Sequence, residues 1–144
     1  MVERDAGGHV VNLASLAGYV APADMSVYAT SKFAVLGFSE SLRADMARNG
    51  IGVSAICPGI IHTNIIGSTI MEGGKDEAAT RERITKFYAK RNYGPEKVAE
   101  AIVDAVRSND GVRPVSPESW VMYFAKRLSP ALVHRMGRTK NPFE

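Results

Sequence analysis

The chain has 144 residues, a net charge of +3, and 45% hydrophobic and 23% charged residues. This balance excludes a disordered, collagen-like or low-complexity protein and leaves material for one domain with a core of its own. The single cysteine, Cys57, cannot close an internal disulfide, and no Cys/His cluster has metal-ligand spacing.

In chain order, Gly8 to Ala14 is apolar and β-branched after Gly7-Gly8, and reads as a short buried strand. Residues 27–48 run at helical spacing, with Val35, Phe38, Leu42 and Met46 on one stripe, and Asn49-Gly50 ends them. Ile51 to Cys57 is a second strand stopped by Pro58-Gly59. Residues 60–76 read as a loop with a short helix, and 77–91 as a polar helix. Pro95 opens a helix at the favourable first position, its apolar face formed by Val98, Ile102, Val103 and Val106. Asn109-Asp110-Gly111 closes it. Val112 to Val115 is a short strand whose Pro114 belongs at a sheet edge. Two helices, about 117–128 and 130–137, complete the pattern.

Strand, helix, strand, helix, strand at this spacing specifies a parallel α/β sheet. Three parallel strands leave the first with an unpaired apolar edge, which calls for further structure on that side. The division expected is 1–63 for a strand-helix-strand unit, 64–94 for a loop and its helices, and 95–144 for the last helix, edge strand and terminal helices.

Three features carry chemistry. Ser15 follows the first strand; Tyr28 and Lys32 are spaced i,i+4 on the long helix; Pro58-Gly59 ends the second strand, with Thr63 beyond. In a parallel sheet, ligands bind outside the carboxyl ends of the strands, so Ser15 and Pro58-Gly59 are expected on one rim. The i,i+4 spacing places a phenol and an ammonium on one helix face. A neighbouring cation favours the ionised phenol, which suits Tyr28 to proton exchange with a carbonyl or an alcohol. Taken singly, each feature also has a structural reading: a turn serine, a surface tyrosine with a snorkelling lysine, a strand-ending turn.

Taken together, the order NxxSxxG (Asn12, Ser15, Gly18), YxxxK (Tyr28, Lys32) and Cys57-Pro58-Gly59 resembles the second half of a short-chain dehydrogenase/reductase. The likeness runs from about His9 to Val115, and Arg91 to Ala99 is similar to the helix opening before that family's last strand. A nearer likeness is to the dehydrogenase module that actinobacteria fuse to an epoxide hydrolase. The resemblance implies the carboxy-terminal half of a Rossmann-like, doubly wound parallel sheet. It implies hydride exchange between NAD or NADP and a small carbonyl/alcohol substrate. Tyr28 becomes the acid/base, Lys32 the partner of Tyr28 and of the nicotinamide ribose, and Ser15 the group that orients the carbonyl oxygen. Backbone around Pro58, Gly59 and Ile61 lines the nicotinamide, and Thr63 contacts its carboxamide or a phosphate. A homo-oligomer is implied as well.

The family's TGxxxGxG phosphate turn, its NNAG segment and its nicotinamide-selecting residue have no counterpart in this sequence. The expectation is therefore a dinucleotide-binding half lying outside these residues, and little cofactor binding or turnover by this chain alone. The rival reading is a non-catalytic interaction or oligomerisation module. Residues 80–144 carry thirteen Lys/Arg against seven Asp/Glu, while residues 1–79 carry five against eight. The basic half reads first as solvated surface, with no nucleic-acid partner expected. The stripe Trp120, Val121, Phe124 and Leu128, beside Lys126, Arg127, Arg135 and Arg138, fits a pocket cover, a subunit contact or a membrane-surface helix, and a core-facing role ranks first. Apolar runs too short to cross a bilayer, and an N-terminus without a signal-peptide pattern, lead to a cytoplasmic expectation. Gly37 and Ser41 suit either a subunit contact or packing within the chain. Cys57 reads as a small buried hydrophobe.

Overall fold

The computed structural model describes residues 1–4, 6–63, 82, 85, 86 and 93–138. The regions read as a loop with a short helix (60–76) and a polar helix (77–91) fall largely outside these residues. Three strands, β1 (Gly8–Leu13), β2 (Ile51–Cys57) and β3 (Val112–Pro114), form a parallel sheet in the order β1-β2-β3. Helix α1 (Ser26–Met46) connects the first two strands, and α2 (Pro95–Ser108) precedes β3. Helices α3 (Pro117–Leu128) and α4 (Pro130–Met136) follow. The expected α/β class and the order of its elements are both present.

The central strand explains the layering. Every residue of β2 except Gly52 is buried, as an apolar strand covered on both faces must be. Neighbouring side chains on a strand point to opposite faces. Accordingly Ile56 packs with Ala101, Ala105 and Val115, joined by Val98 and Ile102 of α2. Cys57 packs with Ala14 and Tyr19, joined by Val35 and Leu36 of α1 and by Met122 and Tyr123 of α3. Helices thus cover both faces, which is the doubly wound arrangement.

Four side-chain expectations need correction. On α3, Trp120, Val121, Phe124 and Leu128 are all exposed rather than core-facing, because Ser119 and Met122 take the inner side of the helix. No residue of β1 is buried, and Leu13 is exposed, because only one edge of this strand is paired among the described residues. On α2, the small residues Ala101 and Ala105 take the buried face, while Val103 and Val106 are exposed. Two alanines let the helix approach the sheet closely, which rotates the bulkier valines outward. On α1, Phe38 points outward although Val35 packs inward. A Cβ built on Gly37 meets nothing within 4 Å among the described residues, so packing against them does not account for that glycine.

The ends of the elements follow local rules. Pro95, Pro117 and Pro130 each occupy the first turn of a helix, where a missing N–H costs little. Asn109 closes α2 in the left-handed conformation at φ 52°. Arg43 then joins α1 to this turn and to the sheet. Its guanidinium donates to Val53 O at 2.8 Å, to Asn109 Oδ1 at 2.9 Å and to Asn109 O at 2.6 Å. Hydrogen bonds from a charged donor to fixed carbonyls are among the stronger contributions to stability. Arg43→Ala is expected to lower the unfolding free energy by about 1.5–3 kcal/mol, read as a lower urea midpoint at unchanged slope.

Candidate active site

Parallel register sets the geometry of the rim. Leu13 lies opposite Ile56, so the chain leaves β1 and β2 at the same end of the sheet. The pairing continues past both strands: Ala14 N donates to Ile56 O at 2.8 Å, and Leu16 N donates to Pro58 O at 2.7 Å. Ser15 is held between these two bonds. It caps the 3₁₀ turn Leu16–Gly18, its Oγ accepting from Ala17 N at 3.2 Å, and the same Oγ lies 3.5 Å from Pro58 O. The sequence expectation that Ser15 and Pro58 share one rim is met.

Tyr28 and Lys32 belong to the first turns of α1. The Lys32 ammonium lies 5.7 Å from the centroid of the Tyr28 ring and donates to Leu13 O at 3.3 Å. One cation therefore touches both the carboxyl end of β1 and the phenol, as the i,i+4 spacing requires. Gly18 makes this approach possible, since a Cβ there would come within 3.0 Å of Lys32 O. Deeper in the same interface, Asn12 Nδ2 donates to Ser39 Oγ at 3.0 Å, and Ser39 donates to Val35 O. The Tyr28 side chain is 42% exposed, so a small molecule can reach it.

The segment after β2 is fixed from a distance that sequence spacing does not reveal. Glu118, in the first turn of α3, accepts from Ile60 N at 2.8 Å. Ser119 Oγ donates to Cys57 O at 2.6 Å. The Tyr19 hydroxyl donates to Ser119 O at 2.9 Å and also touches Ser119 Oγ. His62 N donates to Tyr93 O at 2.8 Å. A Cβ on Gly59 would collide with Ser116 Oγ and Glu118 Oε1, so a larger residue there would push these side chains aside and disturb the Glu118 bond to Ile60 N. Tyr19, Glu118 and Ser119 are the structural residues of the rim that motif reading missed. Only the E-S step after Pro117, a helix-opening pattern, hinted at a polar helix start. Pro58, Gly59 and Ile61 are half-buried, while His62 and Thr63 are exposed.

Burial governs the titration of the two groups beneath the rim. It pushes the Cys57 thiol up from 9.0 to about 12, against the opposing effect of a backbone hydrogen bond at Ser15. It also raises the Tyr19 phenol, although the Ser119 hydrogen bond acts the other way. Both groups stay protonated near neutrality and serve packing rather than proton exchange. A shallow groove of about 570 Å³ on the outer side of α2, from Glu96 to Arg107, contains none of the rim residues.

Comparison with known proteins gives the family and the fold. The sequence model of the short chain dehydrogenase family matches residues 1–72. The Probable oxidoreductase EphD of Mycobacterium tuberculosis (strain H37Rv) is 42% identical over 144 residues, covering 97% of this chain and 24% of that protein. A short-chain dehydrogenase/reductase from Burkholderia phymatum, solved in complex with NAD, superposes with a TM-score of 0.74 at 22% identity. That superposition covers 92% of this chain and 51% of the other. An actinorhodin polyketide ketoreductase with NADPH gives a TM-score of 0.58 at 31% identity, over 80% of this chain and 48% of that one. The chain belongs to the short-chain dehydrogenase family, and its fold is that of the family's Rossmann-like sheet. It spans about a quarter of the length of EphD.

Two measurements check the account of the rim. Ser119→Ala removes the donor to Cys57 O and a contact of the Tyr19 hydroxyl. It is expected to cost about 1–3 kcal/mol in a chemical denaturation curve. For Cys57, a folded-state pKa above the unfolded one gives stability that is complete below pH 9 and lost as pH rises towards 12. The melting temperature should therefore fall across that interval, and Cys57→Ala should flatten part of the decline.

Proposed function

We propose that this chain forms the catalytic part of an NAD(P)-dependent oxidoreductase acting on a carbonyl/alcohol pair. The observation that carries the reading is the Lys32 ammonium lying between Leu13 O and the Tyr28 ring, on the rim that also holds Ser15 and Pro58. In this reading Tyr28 gives a proton to the carbonyl oxygen during reduction and takes one from the alcohol during oxidation. The Lys32 charge offsets the negative charge that develops on the phenol oxygen. Ser15 donates a hydrogen bond to the substrate oxygen and fixes its direction.

The chemistry of the donors also suits a dinucleotide. An ammonium has three N–H donors, and the described contacts of Lys32 use one of them, on Leu13 O. A ribose hydroxyl is a suitable acceptor for the others. Pro58, Gly59, Ile61 and Thr63 follow β2 on the same rim and would line the nicotinamide and its carboxamide or a nearby phosphate, NAD and NADP both being compatible. When bound, the reduced nicotinamide supplies the hydride. The proton comes from Tyr28, so the carbonyl gains two electrons and two hydrogens in all. The substrate is a small molecule, and its contacts from the 64–94 segment fall mainly outside the described residues.

The sequence of this chain has no TGxxxGxG turn, and weak cofactor binding by the chain alone is part of the proposal. Exposed Val27, Phe33 and Phe38 on α1, together with the open space at Gly37, support a homo-oligomer that covers this helix.

The test has two arms. In an enzyme that carries this chain together with a glycine-rich strand-turn-helix, Tyr28→Phe should lower kcat by about 10²–10⁴-fold, with an intact fold by circular dichroism. An active Tyr28→Phe enzyme would refute the assigned acid/base. Titration of the 144-residue chain with NADH should show no tight, stoichiometric fluorescence change.

A further inference from the structure

We propose that the outer face of α3, with the basic residues around α4, docks on the surface of a bilayer containing anionic phospholipid. At the helical repeat of about 100° per residue, Trp120, Val121, Phe124 and Leu128 fall within an arc of about 100°. All four are exposed, at 38%, 62%, 52% and 85%. Ser119 and Met122 lie on the other side of the helix; Ser119 is bonded to Cys57 O, and Met122 packs by Tyr19. The outer, apolar face is thus directed away from the rim. A surface helix with an apolar outer face has a further environment to meet.

Charge identifies that environment. From Pro117 to Arg138 the chain carries Lys126, Arg127, Arg135 and Arg138 and a single carboxylate, Glu118. That carboxylate faces inward to accept from Ile60 N, so it does not oppose an anionic surface. The Arg127 guanidinium lies 4.0 Å from the centroid of the Tyr123 ring, along the margin of the apolar face. Lys126, on the Met122 side of the helix, has its Nζ 2.9 Å from His134 Nε2, which joins α3 to α4, where Arg135 and Arg138 are exposed. Trp120 and Phe124 stack with ring centroids 5.8 Å apart, and Tyr123 meets both rings edge-on. Aromatic rings with a cationic margin match the boundary between headgroups and acyl chains, where an amphipathic helix lies in the plane of the membrane. Its length, 12 residues, suits lying on a bilayer rather than crossing one. No described helix is long and apolar enough to cross a membrane.

Trp120 is the only tryptophan in the sequence, so its emission reports directly on the proposed face. Vesicles of phosphatidylcholine with phosphatidylglycerol should shift that emission to the blue and sediment the protein. Affinity should be at least about tenfold higher than for phosphatidylcholine alone, and should fall as salt is raised. Val121→Asp and Leu128→Asp, at exposed positions, should abolish the shift while leaving the far-ultraviolet spectrum unchanged. Arg127→Glu combined with Arg135→Glu should weaken binding by about tenfold or more. No blue shift on anionic vesicles, equal binding to neutral ones, or indifference to these substitutions would overturn the proposal. So would a dimer, seen by light scattering, that Leu128→Asp dissolves while anionic vesicles leave Trp120 unchanged; the face would then belong to a second copy.

Discussion

The parallel pairing of β1 with β2 is the constraint on which the rest of this molecule depends. Because Leu13 stands opposite Ile56, the segments that follow the two strands emerge side by side, and Ser15 and Pro58 come into register. Two backbone hydrogen bonds, from Ala14 N and Leu16 N, extend the pairing into what is otherwise irregular chain. A slip of one residue would turn the side chains of β1 to the other face and separate these segments. Positional accuracy at the rim thus comes from sheet register rather than from the loops themselves.

Helix α1 uses that frame. Its Tyr28 and Lys32 require a helix for their spacing, but they also require the helix to begin close to the carboxyl end of β1. The absence of a side chain at Gly18 admits the backbone of α1, and Lys32 then reaches Leu13 O. Helix α3 completes the frame from the other side. Glu118 and Ser119 use their carboxylate and hydroxyl to bind backbone groups of the strand end, and Tyr19 bridges back to the turn after Ser15. Three separate stretches of chain therefore hold one rim, each through a bond to a backbone atom of the strand ends.

The two faces of α3 serve different ends. The inner face joins the core and the rim, and its polar groups Glu118 and Ser119 are matched to backbone partners. The outer face is apolar and aromatic, with Arg127 along its margin. Lys126, Arg127, Arg135 and Arg138 lie on or just beyond the last two helices, and Arg81, Arg83, Lys86, Lys90 and Arg91 supply the rest of the basic excess of the second half.

Periodicity and punctuation in the sequence were enough to order the elements. Apolar runs bounded by glycine and proline marked β1, β2 and β3, and Pro95, Pro117 and Pro130 opened helices where a missing N–H is harmless. The Tyr28–Lys32 spacing was equally legible, because i,i+4 proximity is a local property of any helix. Long-range matters were not. Whether Phe38 or Val103 would be inward, or the α3 stripe outward, depends on the rotation of each helix against the sheet, which small residues such as Ala101 and Ala105 decide by how closely they pack. The bonds from Glu118 to Ile60 and from Ser119 to Cys57 join residues about sixty positions apart, and no local pattern encodes them. The sequence determined which segments would be strands and helices and which side chains could do chemistry. Tertiary packing alone decided which of them meet, because contact between distant segments is set by register and close approach rather than by local spacing.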